Sequence, residues 1–115
     1  MARVNTYNGV KYLLRKEMER GRLLDTRDIP RGIGKSKILL DIALENDYVI
    51  VVDLKTVATE LSKEFNVEDK GVYVTYRELK DRDVKCILLE EGLTVKQEKK
   101  LRAEYDVMGG YSNDR

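Results

Sequence analysis

The run Tyr48-Val49-Ile50-Val51-Val52 constrains this chain more than any other segment. It is short, continuous and rich in β-branched residues, so it describes a strand covered on both faces, the usual condition of strands in parallel sheets. Val72-Tyr73-Val74-Thr75-Tyr76 and Val84-Lys85-Cys86-Ile87-Leu88-Leu89 repeat the signature. The segments between these runs change period. Lys35 to Leu44 places Ile38, Leu39, Ile42 and Ala43 on one broad helical face, and Thr56 to Phe65 repeats Val57, Ala58, Leu61 and Phe65 at the same spacing. Thr94 with Gln97 three positions later is a capping box for a helix through Tyr105, and Asp106-Val107-Met108-Gly109-Gly110-Tyr111 follows as a last strand. Ahead of the first run, Tyr7 to Leu24 carries Val10, Leu13, Leu14 and Met18 at helical spacing, with Gly21 as its stop. The stretch RLLDTRDIP then supplies a short, polar strand before Pro30. Alternating strands and helices predict a three-layer α/β domain with a mainly parallel sheet of about five strands. In this division residues 1–22 form a basic amphipathic helix and residues 23–115 the α/β unit, within one domain overall.

Composition narrows the chemistry. Hydrophobic residues make up 42% of the 115, enough for a packed core. With Cys86 as the only cysteine and no histidine, neither an internal disulfide nor a Cys/His zinc or nucleophile site can be assembled within the chain. Cys86 itself reads as an inert residue of an apolar strand. No stretch reaches the roughly 20 apolar residues of a membrane span, so the expectation is a soluble, cytoplasmic protein with no membrane partner. Charge is uneven. Residues 1–37 hold ten Lys/Arg against four Asp/Glu, and residues 38–115 hold twelve against seventeen. The basic N-terminal region reads either as a solvated helix face or as an arm that meets phosphate, DNA included.

The sharpest chemical feature is Pro30-Arg31-Gly32-Ile33-Gly34-Lys35-Ser36, set between the short strand and a helix. Glycines let consecutive backbone N–H groups curl around a phosphate, and the helix N-terminus adds partial positive charge. The segment resembles the Walker A loop of P-loop nucleoside triphosphatases, small bacteriophage-encoded ones among them. That resemblance implies a P-loop-like fold, ATP or another nucleoside triphosphate as ligand, and Mg²⁺. Gly32, Ile33, Gly34, Lys35, Ser36 and Lys37 would then surround the phosphates, with Lys35 reaching them and the Ser36 hydroxyl on the metal. Arg31 is either a built-in arginine finger or a surface arginine. The pattern GxxxxGK[ST] has glycine where this chain has Ile29.

A second element, KCILLEE, resembles a Walker B strand, a hydrophobic run that delivers acids to the edge of the sheet. On that reading Glu90 is the metal-side carboxylate and Glu91 the base that orients attacking water; otherwise the two are solvated acids ending a strand. The family more often has Asp at the first position. Asp53, at the end of the Tyr48–Val52 run, lines the site or caps the helix at Thr56. The resemblance covers roughly residues 24 to 112. It implies nucleotide binding with slow or partner-dependent hydrolysis, completed by a homo-oligomer or a protein partner. The competing readings are a degenerate P-loop scaffold that acts as a protein-interaction factor, and a DNA-binding accessory protein using the basic N-terminal region.

Overall fold

Side-chain alternation along the central strands sorts the core onto two faces. A computed structural model describes residues 6–29 and 32–112. Its strands are β1 (Leu24–Asp25), β2 (Val49–Val52), β3 (Tyr73–Thr75), β4 (Cys86–Leu89) and β5 (Asp106–Ser112), all parallel in the order β1-β5-β4-β2-β3. Its α-helices are α1 (Tyr7–Glu19), α2 (Lys35–Asn46), α3 (Lys55–Glu64), α4 (Tyr76–Leu79) and α5 (Val95–Glu104). Ile50, Val52, Leu88, Tyr73 and Tyr111 project to one side, where they pack with Val10 and Leu14 of α1, Ile38, Leu39 and Ile42 of α2, and Ala58 of α3. Val49, Val51, Val74, Ile87 and Leu89 project to the other, against Leu79 of α4 and Leu101 of α5. The result is three layers, helices on both faces of a parallel sheet.

Connectivity follows the same division. The crossovers from β1 to β2 and from β2 to β3 run one way along the sheet, and their helices α2 and α3 lie on one face. The crossovers from β3 to β4 and from β4 to β5 run back, and α4 and α5 lie on the other. Reversing direction and face together keeps every crossover of one hand. The β4 exit therefore leaves toward one face while the β1 and β2 exits leave toward the other. The switch between the two faces falls at the C-terminal ends of the adjacent strands β2 and β4, the kind of place where open α/β sheets bind ligands.

Local differences from the sequence reading have physical causes. Thr75 and Glu78 form a capping box, Thr75 Oγ1 accepting from the Glu78 N–H and the Glu78 carboxylate from the Thr75 N–H, so Tyr76 opens a one-turn helix rather than ending β3. Helix α1 stops at Glu19, ahead of Gly21, and Val10 and Leu14 have no exposed surface, so it is built into the core of the α/β unit. Strand β1 has only two residues, and a 3₁₀ turn at Thr26–Asp28 follows it. Cys86 is half-buried at the start of β4. In β5 a register shift against Ile87 and Leu88 leaves Met108 unpaired, and Gly110, at φ +138°, lies against β4 so closely that a Cβ would fall 2.1 Å from the Leu89 carbonyl oxygen. A glycine is therefore required there. Among the described residues no helix is long and apolar enough to cross a membrane.

Candidate functional site

Two segments meet beyond the C-terminal end of β4. One is the start of α2. Gly34 precedes the helix in the left-handed region, at φ +87° and ψ +41°, and supplies no side chain to cap it. The first N–H groups of α2 consequently take no side-chain acceptor from their cap residue and lie at the positive end of the helix dipole. Lys35 and Ser36 occupy this first turn. The Ile33 side chain packs against the core and leaves only its backbone for a ligand. Lys37 points away, with its ammonium 2.6 Å from Asp41 Oδ1, one turn along the helix. Ile29, at the position where the Walker pattern has glycine, is extended (φ −118°, ψ +129°) and buried. A β-branched residue adopts that backbone freely, so this end of the loop takes no left-handed turn. Arg31 lies outside the described residues.

The other is the acidic pair that follows β4. Glu90 is 5% exposed, and its Oε1 accepts the Glu91 N–H at 3.0 Å while Oε2 is buried with no hydrogen-bond partner. Burial pushes this carboxyl up to about 7, although the Glu91 N–H, the Ser36 hydroxyl and the Lys35 ammonium favour its ionised form. Glu91 is more exposed, and its Oε1 lies 3.8 Å from Lys35 Nζ. The loop turn and the acidic strand end, far apart in sequence, thus converge through Lys35, Ser36, Glu90 and Glu91.

Two further residues, Tyr111 and Tyr7, meet this site, and a separate bond joins Gln97 to Asp53. Tyr111, buried near the end of β5, donates its hydroxyl to the Lys35 carbonyl at 2.8 Å; burial and the nearby Glu90 push the phenol further up, so it stays a donor. The Tyr7 ring lies against Gly34, and its hydroxyl donates to Asp41. Gln97 Nε2 donates to Asp53 Oδ1 at 2.9 Å. Asp53 therefore ties the end of β2 to the start of α5 and does not cap α3, whose N-cap is Leu54. Seven tyrosines beside one phenylalanine was the only sequence signal for Tyr7 and Tyr111. Their pairing with α2 depends on the sheet order.

Among the described residues no group of three or more acidic or Cys side chains could hold a metal unaided. Ser36 and Glu90 fit a hard cation that takes its other ligands from phosphate and water, as Mg²⁺ does. Comparison with protein families, curated proteins and solved structures finds no match to this chain.

Proposed function

We propose that this protein binds a nucleoside triphosphate, ATP in the first instance, together with Mg²⁺, where the start of α2 meets the end of β4. The observation that carries this reading is the buried Glu90 carboxylate, with one oxygen unpartnered, facing Ser36 and Lys35 at a helix start that has no cap of its own. A buried acid without a full set of partners is costly, and such sites cluster where a ligand completes them. In this reading the α2 N–H groups and the Lys35 ammonium hold the phosphates. Ser36 and Glu90 hold the metal ion, which neutralises phosphate charge when bound. Glu91, released from Lys35 by the incoming phosphate, accepts the proton of an attacking water, and turnover is slow or depends on a second protein or subunit.

One observation favours a second reading, a P-loop scaffold that has become an interaction factor: Ile29 fills the core where the loop pattern has glycine. The DNA reading draws less support. Basic residues in and just after α1 face acids of the same chain, Lys11 and Arg15 on Glu45 at 2.9 and 2.5 Å, and Arg20 on Glu17 at 3.4 Å. The deciding experiment is a thermal-unfolding series with Mg²⁺-ATP for the wild type and Lys35→Ala. A midpoint that rises with nucleotide in the wild type but not in the variant supports binding at this loop. No rise in either at millimolar nucleotide leaves the scaffold reading.

A further inference from the structure

Ahead of α2 the Ile33 side chain is seated against the core, while Gly32 and Gly34 on either side of it carry no side chain. Gly32 and Gly34 both sit at positive φ, +78° and +87°, where a residue without Cβ is free to move, and the helix they lead into has no side-chain cap. A phosphate site must nevertheless present its N–H groups and Lys35 in one arrangement, because affinity is lost when binding has to order a loose turn. Besides the Ile33 anchor, two contacts from outside the loop supply that order.

Tyr111 makes the first. Its register partner across the sheet is Leu24 of β1, so it stands beside the strand that leads toward the loop. Its hydroxyl reaches the Lys35 carbonyl. That carbonyl already lies one turn before Leu39, whose N–H it accepts in a regular helix. The Tyr111 hydroxyl therefore takes a second lone pair, beyond what the helix requires. A phenylalanine would fill the same core space without burying a hydroxyl, so the bond serves orientation. Tyr7 makes the second contact. A Cβ on Gly34 would lie 3.6 Å from Cδ2 and Cε2 of its ring, so the ring covers that turn. Its hydroxyl is fixed on Asp41, which Lys37 also holds. The first turn of α2 is thus gripped by the end of β5 and the first residue of α1.

We propose that Tyr111 and Tyr7 are positioning residues that hold the first turn of α2 in the arrangement that receives a triphosphate, the N-terminal helix acting as part of the phosphate site. The proposal rests on the nucleotide-binding reading for its ligand, but its geometric half can be tested without one. In the full chain, Tyr111→Phe and Tyr7→Phe each remove a hydroxyl and keep the ring. Amide hydrogen exchange of the free protein is read at Ile38 and Leu39, whose acceptors are the Gly34 and Lys35 carbonyls, with the amides of β2 and β4 as the measure of global stability. Affinity for inorganic triphosphate with Mg²⁺ is measured in parallel. The expected result is exchange at Ile38 and Leu39 faster by about fivefold in Tyr111→Phe relative to the β2 and β4 amides, with a similar loss of triphosphate affinity. Tyr7→Phe should show a smaller change in the same direction, and it serves as the test if Tyr111→Phe fails to fold. Unchanged exchange at Ile38 and Leu39 in the variants that fold overturns the proposal. Faster exchange in a protein whose wild type ignores triphosphate keeps the grip and removes the nucleotide-binding reading instead.

Discussion

Two charged regions of this molecule are built from similar residues and treated oppositely. Along the seam between α1 and α2, each acid has company: Glu45 takes Lys11 and Arg15, and Asp41 takes Lys37 and the Tyr7 hydroxyl. At the C-terminal edge of the sheet, Glu90 is more deeply buried than either, yet one of its oxygens has no partner. Burial makes partnering more necessary, so stability alone would place the better-paired acid inside. The inversion marks the sheet edge as a place arranged for something other than stability, whereas the seam is structural.

The largest effect expected from breaking this contrast is on ligand binding. Lys35→Ala removes the ammonium nearest the acidic pair and, under the proposed function, weakens Mg²⁺-ATP by a hundredfold or more. A nucleotide at about 100 times its wild-type dissociation constant contributes about 3 kcal/mol of stability, so a thermal scan in which the variant loses that whole increment checks the expectation. Retention of the shift would move the site elsewhere.

Glu90→Gln tests whether the unpartnered acid is a cost. Because burial raises the folded-state pKa from 4.5 to about 7, the unfolded chain releases the proton first as pH rises. The favourable contribution of neutral Glu90 is complete below about pH 4 and is lost between there and about pH 7. Above pH 7 the wild type should therefore be less stable than the glutamine variant by about 3 kcal/mol, and the two should coincide at pH 4. Denaturant unfolding at pH 4, 6 and 8 reads the difference directly. A constant gap across pH would mean that Glu90 is not held neutral by burial.

The fold was more legible in the sequence than the site. Apolar runs such as Val49–Val52 disclose strands because burial on both faces leaves no polar position, and the Thr94–Gln97 box disclosed α5 for a local reason. Thr75-Tyr76-Arg77-Glu78 carries the same kind of box, and reading through it as strand hid α4. At the site, Lys35, Ser36, Glu90 and Glu91 could be named from their order along the chain. Tyr111 and Tyr7 could not. Their contacts span 76 residues to Lys35 and 34 to Asp41, and they exist only because β5 lies between β1 and β4 and α1 packs beside α2. Charge was legible in amount, but its pairing was not. Among the described residues, Lys11, Arg15, Lys35 and Lys37 of the N-terminal third meet acids from beyond it, Glu45, Asp41 and Glu91, which only the fold brings to them.

On the seam, smaller effects with the opposite dependence on pH are expected. Burial raises the Asp41 carboxyl, but the bonds from Lys37 and Tyr7 outweigh it and hold the group below its usual 3.8. A lowered carboxyl contributes stability above its unfolded pKa and loses it as pH falls through the folded value. Asp41→Asn should thus cost about 1–2 kcal/mol at pH 7, with the gap to the wild type closing below about pH 4. Chemical denaturation across that window would show it. A gap that does not narrow at all as pH falls below 4 would assign the loss to packing rather than charge.

Glu45→Gln should have the smallest effect. Its carboxylate is 46% exposed, and although two cations lie within 3 Å, water screens both pairs, so the loss should stay within about 1 kcal/mol and shrink in 1 M salt. Placed beside Glu90→Gln, the same substitution at the two acids should move stability in opposite directions at pH 8, down at the seam and up at the sheet edge. Should both variants lose stability there, Glu90 would be an ordinary structural carboxylate, and the case for a ligand at the end of β4 would lose its main physical support.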